Sequence, residues 1–344
     1  MFSKFYLLTI LLTMCVSNVV AQHISGIVYD EFKKPLEGVM VYADNTTYGT
    51  TTDQNGKFTL ELPKGLNNKI AFRYLGYHTH LEPINFELPY RVELIVKASD
   101  LQEVVVTKSK FTRAELLNAF RKEFLGTTPQ GKKCVILNED VLQLYFDTDT
   151  NTLVAQAETS IIILNNYLGY KIHFDLEKFE TKFKKTTLNP DFIHSNTYYG
   201  SSLFEVLQED PVYDKNRKKT FLKSANMLFL NLIHDQLGNS NFQFYRNGFI
   251  LDPKMHFRTI AVETGYIIWL LDSKENIIPN SKDLKVNQRF EIAYKGTSDS
   301  FLIFKTNSIF VDHLGNYKPI DALIWGGALG KNRIGNLLPS DYKL

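Results

Sequence analysis

The region from residue 24 to residue 96 alternates hydrophobic and polar positions in short runs. Each run has the period of two that places every second side chain on the same face of a strand. Turn-forming sequence such as Asp53-Gln54-Asn55-Gly56 separates the runs. Short strands at regular spacing predict a small antiparallel β-sandwich. The predicted strands are residues 24–29, 38–43, 57–62, 69–74 and 91–96.

The hydrophobic period changes to that of a helix at residue 112. Leu116, Phe120 and Phe124 fall on one side of residues 112–125, which predicts an amphipathic helix. Gly126 follows directly and suits the end of a helix.

Beyond this helix, the pattern predicts a β-rich domain with one long packed helix. A wide apolar stripe over residues 215–237 is typical of a helix that lies on a sheet. The other runs predict strands near residues 141–146, 153–164, 170–176, 179–186 and 193–199, with more strands to about residue 312.

These elements predict a mainly β protein of two domains, because one core rarely organises more than about 300 residues. We expect a transthyretin- or immunoglobulin-like antiparallel β-sandwich over residues 22–97. A linker or closing strand follows over residues 98–111, and a β-rich α+β domain occupies residues 112–344 with helices near 112–125 and 215–237.

The start of the chain has the composition of a secretory leader. Lys4 precedes an apolar run over residues 5–16, and Val19-Val20-Ala21 offers small residues for cleavage before Gln22. We therefore expect residues 1–21 to be a signal peptide. The mature chain would be exported through the inner membrane to the periplasm or the outer membrane, with secretion as the alternative.

Two other interpretations of this leader are less favourable. An uncleaved membrane anchor needs about 20 continuous apolar residues, and Ser17 and Asn18 interrupt the run. A lipoprotein would be acylated at Cys15, but Met14 is larger than the residue expected before such a cysteine. No later apolar run is long enough for a transmembrane helix, so we expect no span in the mature chain.

The net charge bears on the kind of partner, and the cysteine content bears on disulfide formation. The formal net charge of +2 falls to +1 without the leader, because the leader contains Lys4 and no acidic residue. Such a balance gives no electrostatic reason to expect a nucleic acid as partner. Cys15 leaves with the leader and Cys134 remains alone, so the mature chain cannot form an internal disulfide.

Four motifs along the predicted sandwich resemble a known family. They are Gly26-x-Val28-x-Asp30, Pro35-Leu36-x-Gly38-Val39-x-Val41, Thr51-Thr52-Asp53-x-x-Gly56-x-Phe58 and Tyr74-x-Gly76-Tyr77. In this order they resemble the carboxypeptidase-regulatory-like domain, a transthyretin-like sandwich common on Gram-negative envelope proteins. The resemblance covers about a quarter of the chain. It implies a spacer, folding or docking module without catalytic residues.

Two further stretches resemble sequences that accompany this domain. Leu101-Gln102-Glu103-Val104-Val105-Val106-Thr107 resembles the segment that joins it to the plug of TonB-dependent receptors. The residues that follow are too few for a receptor barrel of about 22 strands, so we do not expect transport. The second domain as a whole resembles uncharacterised C-terminal regions of small carboxypeptidase-regulatory-like proteins, which implies no known activity. Its matching motifs include Leu168-Gly169-Tyr170, Tyr199-Gly200, Asn216-Arg217 and the final Leu338-Pro339-Ser340-Asp341-Tyr342.

Three common catalytic motifs are absent from the sequence. A metallocarboxypeptidase requires a histidine and a glutamate three residues apart, and none of the eight histidines has this spacing. The sequence also lacks the Gly-x-Ser-x-Gly and His-Glu-x-x-His motifs. We therefore expect no enzymatic activity, no catalytic residue and no cofactor.

One spacing resembles a calcium-binding loop. Asp147, Asp149 and Asn151 occupy positions one, three and five, and Glu158 is the twelfth residue. The sixth position is Thr152, where the loop requires glycine for a sharp turn. A polar hairpin turn explains the same residues, so these four are weak metal candidates and we expect no metal.

The leading hypothesis is a non-catalytic envelope accessory or binding protein that docks through its sandwich. Its partner would be an envelope protein or a glycan. A glycan-binding module is the first alternative, because aromatic side chains can stack on sugars, and an enzyme of unrecognised type is the second. Most aromatic residues of the second domain are expected in its core; the group is Tyr198, Tyr199, Phe242, Phe244, Tyr245, Phe249, Trp269 and Trp325.

Overall fold

The computed structural model describes residues 21–63, 66, 68–97, 110–278 and 287–344. Residues 1–20 of the predicted signal peptide and residues 98–109 of the predicted linker lie outside the described residues. The chain forms two compact units. The described residues of the first fall within 21–42 and 48–96, and those of the second fall within 43–47, 97, 110–278 and 287–344. No described helix has the length and apolar character needed to cross a membrane.

The described part of the first unit is a sandwich of two sheets. One sheet has the strand order β4-β1-β7 and the other has the order β3-β2-β5-β6. The side chains of Val28, Val41, Phe58 and Phe72 are among those buried in this unit. The strands are β1 Ala21–Tyr29, β2 Met40–Ala43, β3 Gly49–Thr51, β4 Lys57–Pro63, β5 Lys69–Arg73, β6 His80–Pro83 and β7 Tyr90–Glu93.

The expectation of a mainly β chain that starts with a sandwich is confirmed, with one correction to the pairing. β1 pairs antiparallel with β4 but parallel with β7, where Gly26 lies opposite Tyr90. The chain between β1 and β7 crosses to the other sheet and back, and a connection of this length permits a parallel pair. The sequence pattern also missed β3 and β6, which at three and four residues are too short for a clear alternation.

The first helix of the second unit is α1, Arg113–Leu125, close to its predicted bounds. Thr112 is its N-cap: its side chain accepts a hydrogen bond from the backbone of Glu115, and the Glu115 carboxylate accepts one from the backbone N–H of Thr112 at 2.8 Å. This reciprocal capping box satisfies two N–H groups at the helix start. The buried face of α1 packs on a sheet, with Phe120 and Phe179 ring centroids 4.7 Å apart.

The first sheet of the second unit is built around one long hairpin. β12 pairs antiparallel along its length with β13. On its other edge, the N-terminal part of β12 pairs with β11 and the C-terminal part pairs with β10. β8 then pairs with β11, and β9 with β10. The strands are β8 Cys134–Ile136, β9 Leu142–Asp147, β10 Thr152–Ala157, β11 Ile161–Asn165, β12 Tyr170–Phe183 and β13 Ile193–Val206.

Two predictions for this sheet were wrong about where one strand ends and the next begins. The single strand predicted over residues 153–164 is two strands, β10 and β11, because Glu158, Thr159 and Ser160 break the pairing. The two strands predicted over residues 170–176 and 179–186 are one strand, β12. A register shift between Leu176 and Lys178 offsets the alternation there, so the pattern looked interrupted.

The long helix predicted over residues 215–237 is two helices. They are α2, Pro211–Phe221, and α3, Ala225–Ile233. The Ser224 hydroxyl donates to the Phe221 carbonyl oxygen at 2.7 Å and accepts from the backbone N–H of Met227 at 3.3 Å. One side chain thus helps to close the first helix and caps the second. The apolar stripe continues across this break, so periodicity could not reveal it.

The remaining strands form two more sheets around a second core. Their orders are β15-β14-β18-β19-β22 and β16-β17-β20-β21, and Phe229, Phe290 and Phe304 are buried between elements of this core. The strands are β14 Phe242–Arg246, β15 Phe249–Ile250, β16 Phe257–Val262, β17 Gly265–Leu270, β18 Gln288–Tyr294, β19 Thr297–Phe304, β20 Ser308–Asp312, β21 Tyr317–Lys318 and β22 Leu323–Gly326. A short helix α4, Gly327–Gly330, follows β22.

The C-terminal segment returns to the first sheet of the second unit. Ile334 is buried in the core under α1, and the Asn165 amide donates to the Gly335 carbonyl oxygen at 3.0 Å. The Tyr342 ring lies 5.3 Å from that of Phe221. Short 3₁₀ turns occur at Gly131–Lys133, Glu139–Val141, Pro190–Phe192, Leu237–Asn239, Pro253–Met255, Ile320–Ala322 and Ile334–Asn336.

The capping box gives a stability prediction. Thr112→Ala removes the hydroxyl that caps α1, so we expect the free energy of unfolding to fall by about 1 kcal/mol. Thr112→Ser keeps the hydroxyl and should change it by much less. Urea unfolding followed by circular dichroism measures both variants. Equal destabilisation by the two substitutions would contradict the assigned role of the hydroxyl.

Candidate functional site

The first unit exposes a group of apolar side chains at turns and strand ends. Phe32 is 82% exposed, Leu75 is 73% exposed and Val96 is 40% exposed. Tyr77 forms an isolated antiparallel bridge with Val96. We call Phe32, Leu75, Tyr77 and Val96 the apolar end of the sandwich.

A tight turn after β1 holds Phe32 in place. The Asp30 carboxylate accepts hydrogen bonds from the backbone N–H groups of Phe32 at 2.9 Å and Lys34 at 2.8 Å. Lys33 adopts a φ of 63°, which lets the chain reverse. Because the turn is closed by its own side chain, the Phe32 ring can project away from the core without loosening the backbone.

A second turn presents the other part of the apolar end. Gly76 has a φ of 84°, a conformation that favours glycine, and its turn exposes Leu75. The Tyr74 and Tyr77 rings lie 5.5 Å apart. Partial desolvation, followed by the negative charges of Asp30 and Glu31, raises the pKa of Tyr77. These two acidic residues therefore lie close to the apolar end and give it a negative border.

The second unit contains a cavity of about 340 Å³. Its wall is formed by Asn45, β13, the α2–α3 junction, β21, β22 with α4, and the C-terminal segment. The side chains that matter for its chemistry are Tyr198, Asn226, Tyr317, Trp325, Asn336 and Tyr342. Aromatic surfaces and amide or hydroxyl groups thus meet in one space.

Hydrogen bonds within the wall fix several of these groups. The Trp325 indole N–H donates to the Tyr317 hydroxyl at 2.9 Å. The Asn226 amide donates to Asn316 Oδ1 at 2.8 Å, and Asn336 Oδ1 accepts from the Thr128 hydroxyl at 2.9 Å. The rings and amides therefore keep defined orientations before anything enters the cavity.

The tyrosine hydroxyls of the wall remain neutral over a wide pH range. Burial raises the pKa of Tyr198 to about 12, with the positive charge of Arg333 acting in the opposite direction. Burial also raises the pKa of Tyr317, against the hydrogen bond from Trp325. Both groups are therefore hydrogen-bond donors at neutral pH.

Arg333 is the one charged residue among the described residues that line the cavity. Its Nε donates to the Glu123 carbonyl oxygen at 2.9 Å, and its Nη1 donates to the carbonyl oxygens of Gly330 at 2.6 Å and Asn332 at 2.9 Å. Burial raises the pKa of the Glu123 carboxyl, while the Arg333 charge lowers it. The guanidinium is therefore largely used in holding the wall together.

The four calcium candidates are not brought together. Asp147 closes a hairpin turn, accepting from the backbone of Asp149 at 2.9 Å and from the Thr150 hydroxyl at 2.7 Å, and these bonds lower its pKa. Asn151 lies in the same turn with a φ of 52°. Glu158 follows the far end of β10, about 20 Å of strand away. No cluster of three metal-ligating side chains is found within the described ranges.

Cys134 is a buried thiol at the start of β8. Burial raises its pKa to about 12. Its Sγ lies 3.6 Å from the Gln130 carbonyl oxygen. A thiol in this environment is a poor nucleophile, because only the thiolate reacts readily.

Comparison with known proteins identifies the N-terminal region. Residues 24–106 match the family model of the CarboxypepD_reg-like domain. This region is a CarboxypepD_reg-like domain. The resemblance drawn from the four sequence motifs is thereby confirmed. The match extends beyond β7 and includes residues 101–106, which lie outside the described residues.

Part of the chain is also similar to a receptor protein. The chain is 31% identical over 103 residues to the TonB-dependent receptor P39 of Formosa agariphila. The match covers 30% of this chain and 10% of the receptor, so the chain spans about a tenth of the length of the curated relative it matches.

Two solved structures show a more limited similarity. They are an N-terminal and a C-terminal interface mutant of a type II cohesin-X-dockerin complex from Acetivibrio cellulolyticus. Each is 20% identical and covers 22% of this chain and 51% of its own, with TM-scores of 0.18 and 0.17. TM-scores this low carry no argument about fold or function.

The sequence pattern identified only some of the residues that line the cavity. Tyr198 and Trp325 were among the aromatic residues considered for sugar stacking, and both line the cavity. Phe242 and Phe244 are buried, as expected for core residues. Tyr317 and Asn226 were missed, because no local motif links them to Tyr198. The terminal Tyr342 belongs to a stretch that was noted only for its resemblance.

The buried thiol gives a reactivity prediction for the chain from residue 22 onward. With a pKa of about 12, only about one Cys134 in ten thousand is a thiolate at pH 8. We expect slow modification by 5,5′-dithiobis(2-nitrobenzoate) in the native protein and rapid modification of one thiol in guanidinium chloride. Fast modification of the folded protein would contradict the burial of Cys134.

Proposed function

We propose that this chain is a non-catalytic protein of the bacterial envelope that docks on another envelope protein through the apolar end of its CarboxypepD_reg-like domain. The observation that carries the proposal is the exposure of Phe32, Leu75 and Val96 on a domain in which strand residues such as Val28, Val41 and Phe72 are buried. Exposed apolar patches of this kind often mark protein interaction sites.

The surroundings of the apolar end favour a protein partner with a basic border. Asp30 and Glu31 act on Tyr77 through their negative charge. Lys33 is paired with Glu93, which reduces its contribution to the local charge. An apolar centre with a charged rim is the usual composition of a protein interface, and complementary charge would fix the partner's orientation.

The proposed location rests on two supports. The predicted signal peptide over residues 1–21 favours export. Similarity to a TonB-dependent receptor favours an envelope setting for the domain they share. We propose the periplasm or the periplasmic side of the outer membrane as the place of action.

The proposed absence of catalysis rests on the chemistry of individual residues. Cys134 is buried and has a raised pKa. The eight histidines lack the spacing to glutamate that a zinc peptidase uses. We therefore expect this chain to act by binding, and we expect no turnover of peptide or glycoside substrates.

An affinity experiment tests the docking proposal. Tagged mature chain is used to capture partners from detergent-solubilised envelope, and the protein identified by mass spectrometry is then purified for titration. We expect the double variant Phe32→Ser/Leu75→Ser to weaken binding of the purified partner at least about tenfold, since a few central residues carry most of the binding energy of an interface.

Leu88→Ser is the matched control. Leu88 is 69% exposed in the same unit but lies outside the apolar end, so its replacement should leave affinity unchanged. Circular dichroism confirms that the variants remain folded. Equal binding by wild type and the double variant would refute docking through the apolar end, and failure to recover any stoichiometric envelope protein would refute the accessory function.

A further inference from the structure

We propose that the cavity of the second unit is a binding site for a short neutral oligosaccharide, held between the Trp325 and Tyr317 rings and the free hydroxyl and amide groups of Tyr198, Tyr342, Asn226 and Asn336. This inference goes beyond docking by the CarboxypepD_reg-like domain. It concerns another unit and other residues, so either proposal can fail without the other.

The cavity has the size of a small-molecule site. Its volume of about 340 Å³ lies near the lower end of the 300–1,000 Å³ that ligand pockets usually occupy. Six separate parts of the second unit contribute to its wall. A space assembled from distant elements and bordered by fixed side chains is largely formed in advance of binding.

Several polar groups of the wall have no partner within the described part of the chain. The hydroxyl protons of Tyr198 and Tyr342 find no acceptor there, and neither does the Asn336 Nδ2 group. Asn226 uses its Nδ2 group for Asn316 and Leu314 and leaves Oδ1 available. The wall therefore offers both donors and an acceptor. Sugar hydroxyls, which donate and accept, match such a mixed set.

Two aromatic rings supply the apolar part of the site. Tyr317 and Trp325 are linked by the indole hydrogen bond, and each ring contacts Phe229 edge-on from within the core. This support fixes their orientation. A sugar ring carries an apolar face of C–H groups, which packs on an aromatic surface while its hydroxyls reach the polar groups around it.

Charge favours a neutral ligand over an anionic one. Arg333 already donates to three carbonyl oxygens and faces the Glu123 carboxylate at 3.9 Å. Its Nη2 group makes none of these hydrogen bonds, but the Glu123 carboxylate beside it would oppose an anion there. A purely apolar ligand would be disfavoured for a different reason, because it would remove water from the unpaired hydroxyls and amides without replacing their hydrogen bonds.

The test uses the mature chain and a defined set of sugars. Linear neutral trisaccharides of glucose, mannose, galactose, xylose and N-acetylglucosamine are titrated by calorimetry up to about 10 mM. Fluorescence is recorded in a Trp269→Phe background, which leaves Trp325 as the one tryptophan. We expect at least one sugar to bind and to change the Trp325 emission.

Hydroxyl deletions then locate the site. The pair Tyr198→Phe/Tyr342→Phe removes two donors and keeps both rings, so we expect the affinity to fall about tenfold or more. Tyr199→Phe is the matched control, because Tyr199 is the next residue on β13 and its side chain is 51% exposed. Thermal unfolding verifies that each variant is folded.

Three results would overturn the proposal. One is the absence of binding by every sugar of the set at about 10 mM. Another is binding that the Tyr198→Phe/Tyr342→Phe pair leaves unchanged or that Tyr199→Phe weakens equally. The third is binding restricted to uronic acid trisaccharides run in parallel, which would assign an anionic ligand to the cavity.

Discussion

The long antiparallel pairing of β12 with β13 is the constraint on which the second unit depends. Each strand contributes 14 residues, and the free edge of β12 is long enough to pair with both β11 and β10. Gly200 allows the two strands to approach at the register shift, where a Cβ would collide with the Asp175 carbonyl oxygen. The sheet face that results receives the apolar side of α1.

The pairing of β12 with β13 also fixes one wall of the cavity. Successive side chains of a strand point to opposite faces, so neighbouring tyrosines of β13 have different surroundings. Tyr198 lies against Phe124, with ring centroids 5.5 Å apart, and borders the cavity, whereas Tyr199 is exposed. The binding group is thus positioned by a ladder that also organises the core. Rigid elements of this kind hold a site more accurately than loops do.

The CarboxypepD_reg-like domain uses a different arrangement, because its exposed apolar groups lie mainly on turns. Strand residues such as Val41 and Phe72 are committed to the core. A turn closed by Asp30, or by a glycine at positive φ, is stable without its outward side chain. Phe32 and Leu75 can therefore be exposed without loss of fold, and turn residues commonly carry binding functions for this reason.

Local signals account for what could be predicted along the chain. The bounds of α1 followed from its apolar face and from Thr112 and Gly126 at its ends. Most strands of the sandwich followed from their alternation. The break between α2 and α3 did not, because Ser224 acts through single hydrogen bonds while the apolar stripe runs on. The register shift in β12 likewise interrupts the alternation, so one strand was predicted as two.

The sequence by itself determined the mainly β class, the identity of the CarboxypepD_reg-like domain and the first helix, because these depend on periods, turns and caps within a few residues. Only the tertiary structure decided the parallel pairing of β1 with β7, the separation of Glu158 from Asp147 and the cavity that joins Tyr198, Tyr317 and Tyr342. Each of these depends on contacts between residues far apart in the chain, and such contacts leave no periodic trace in the order of the amino acids.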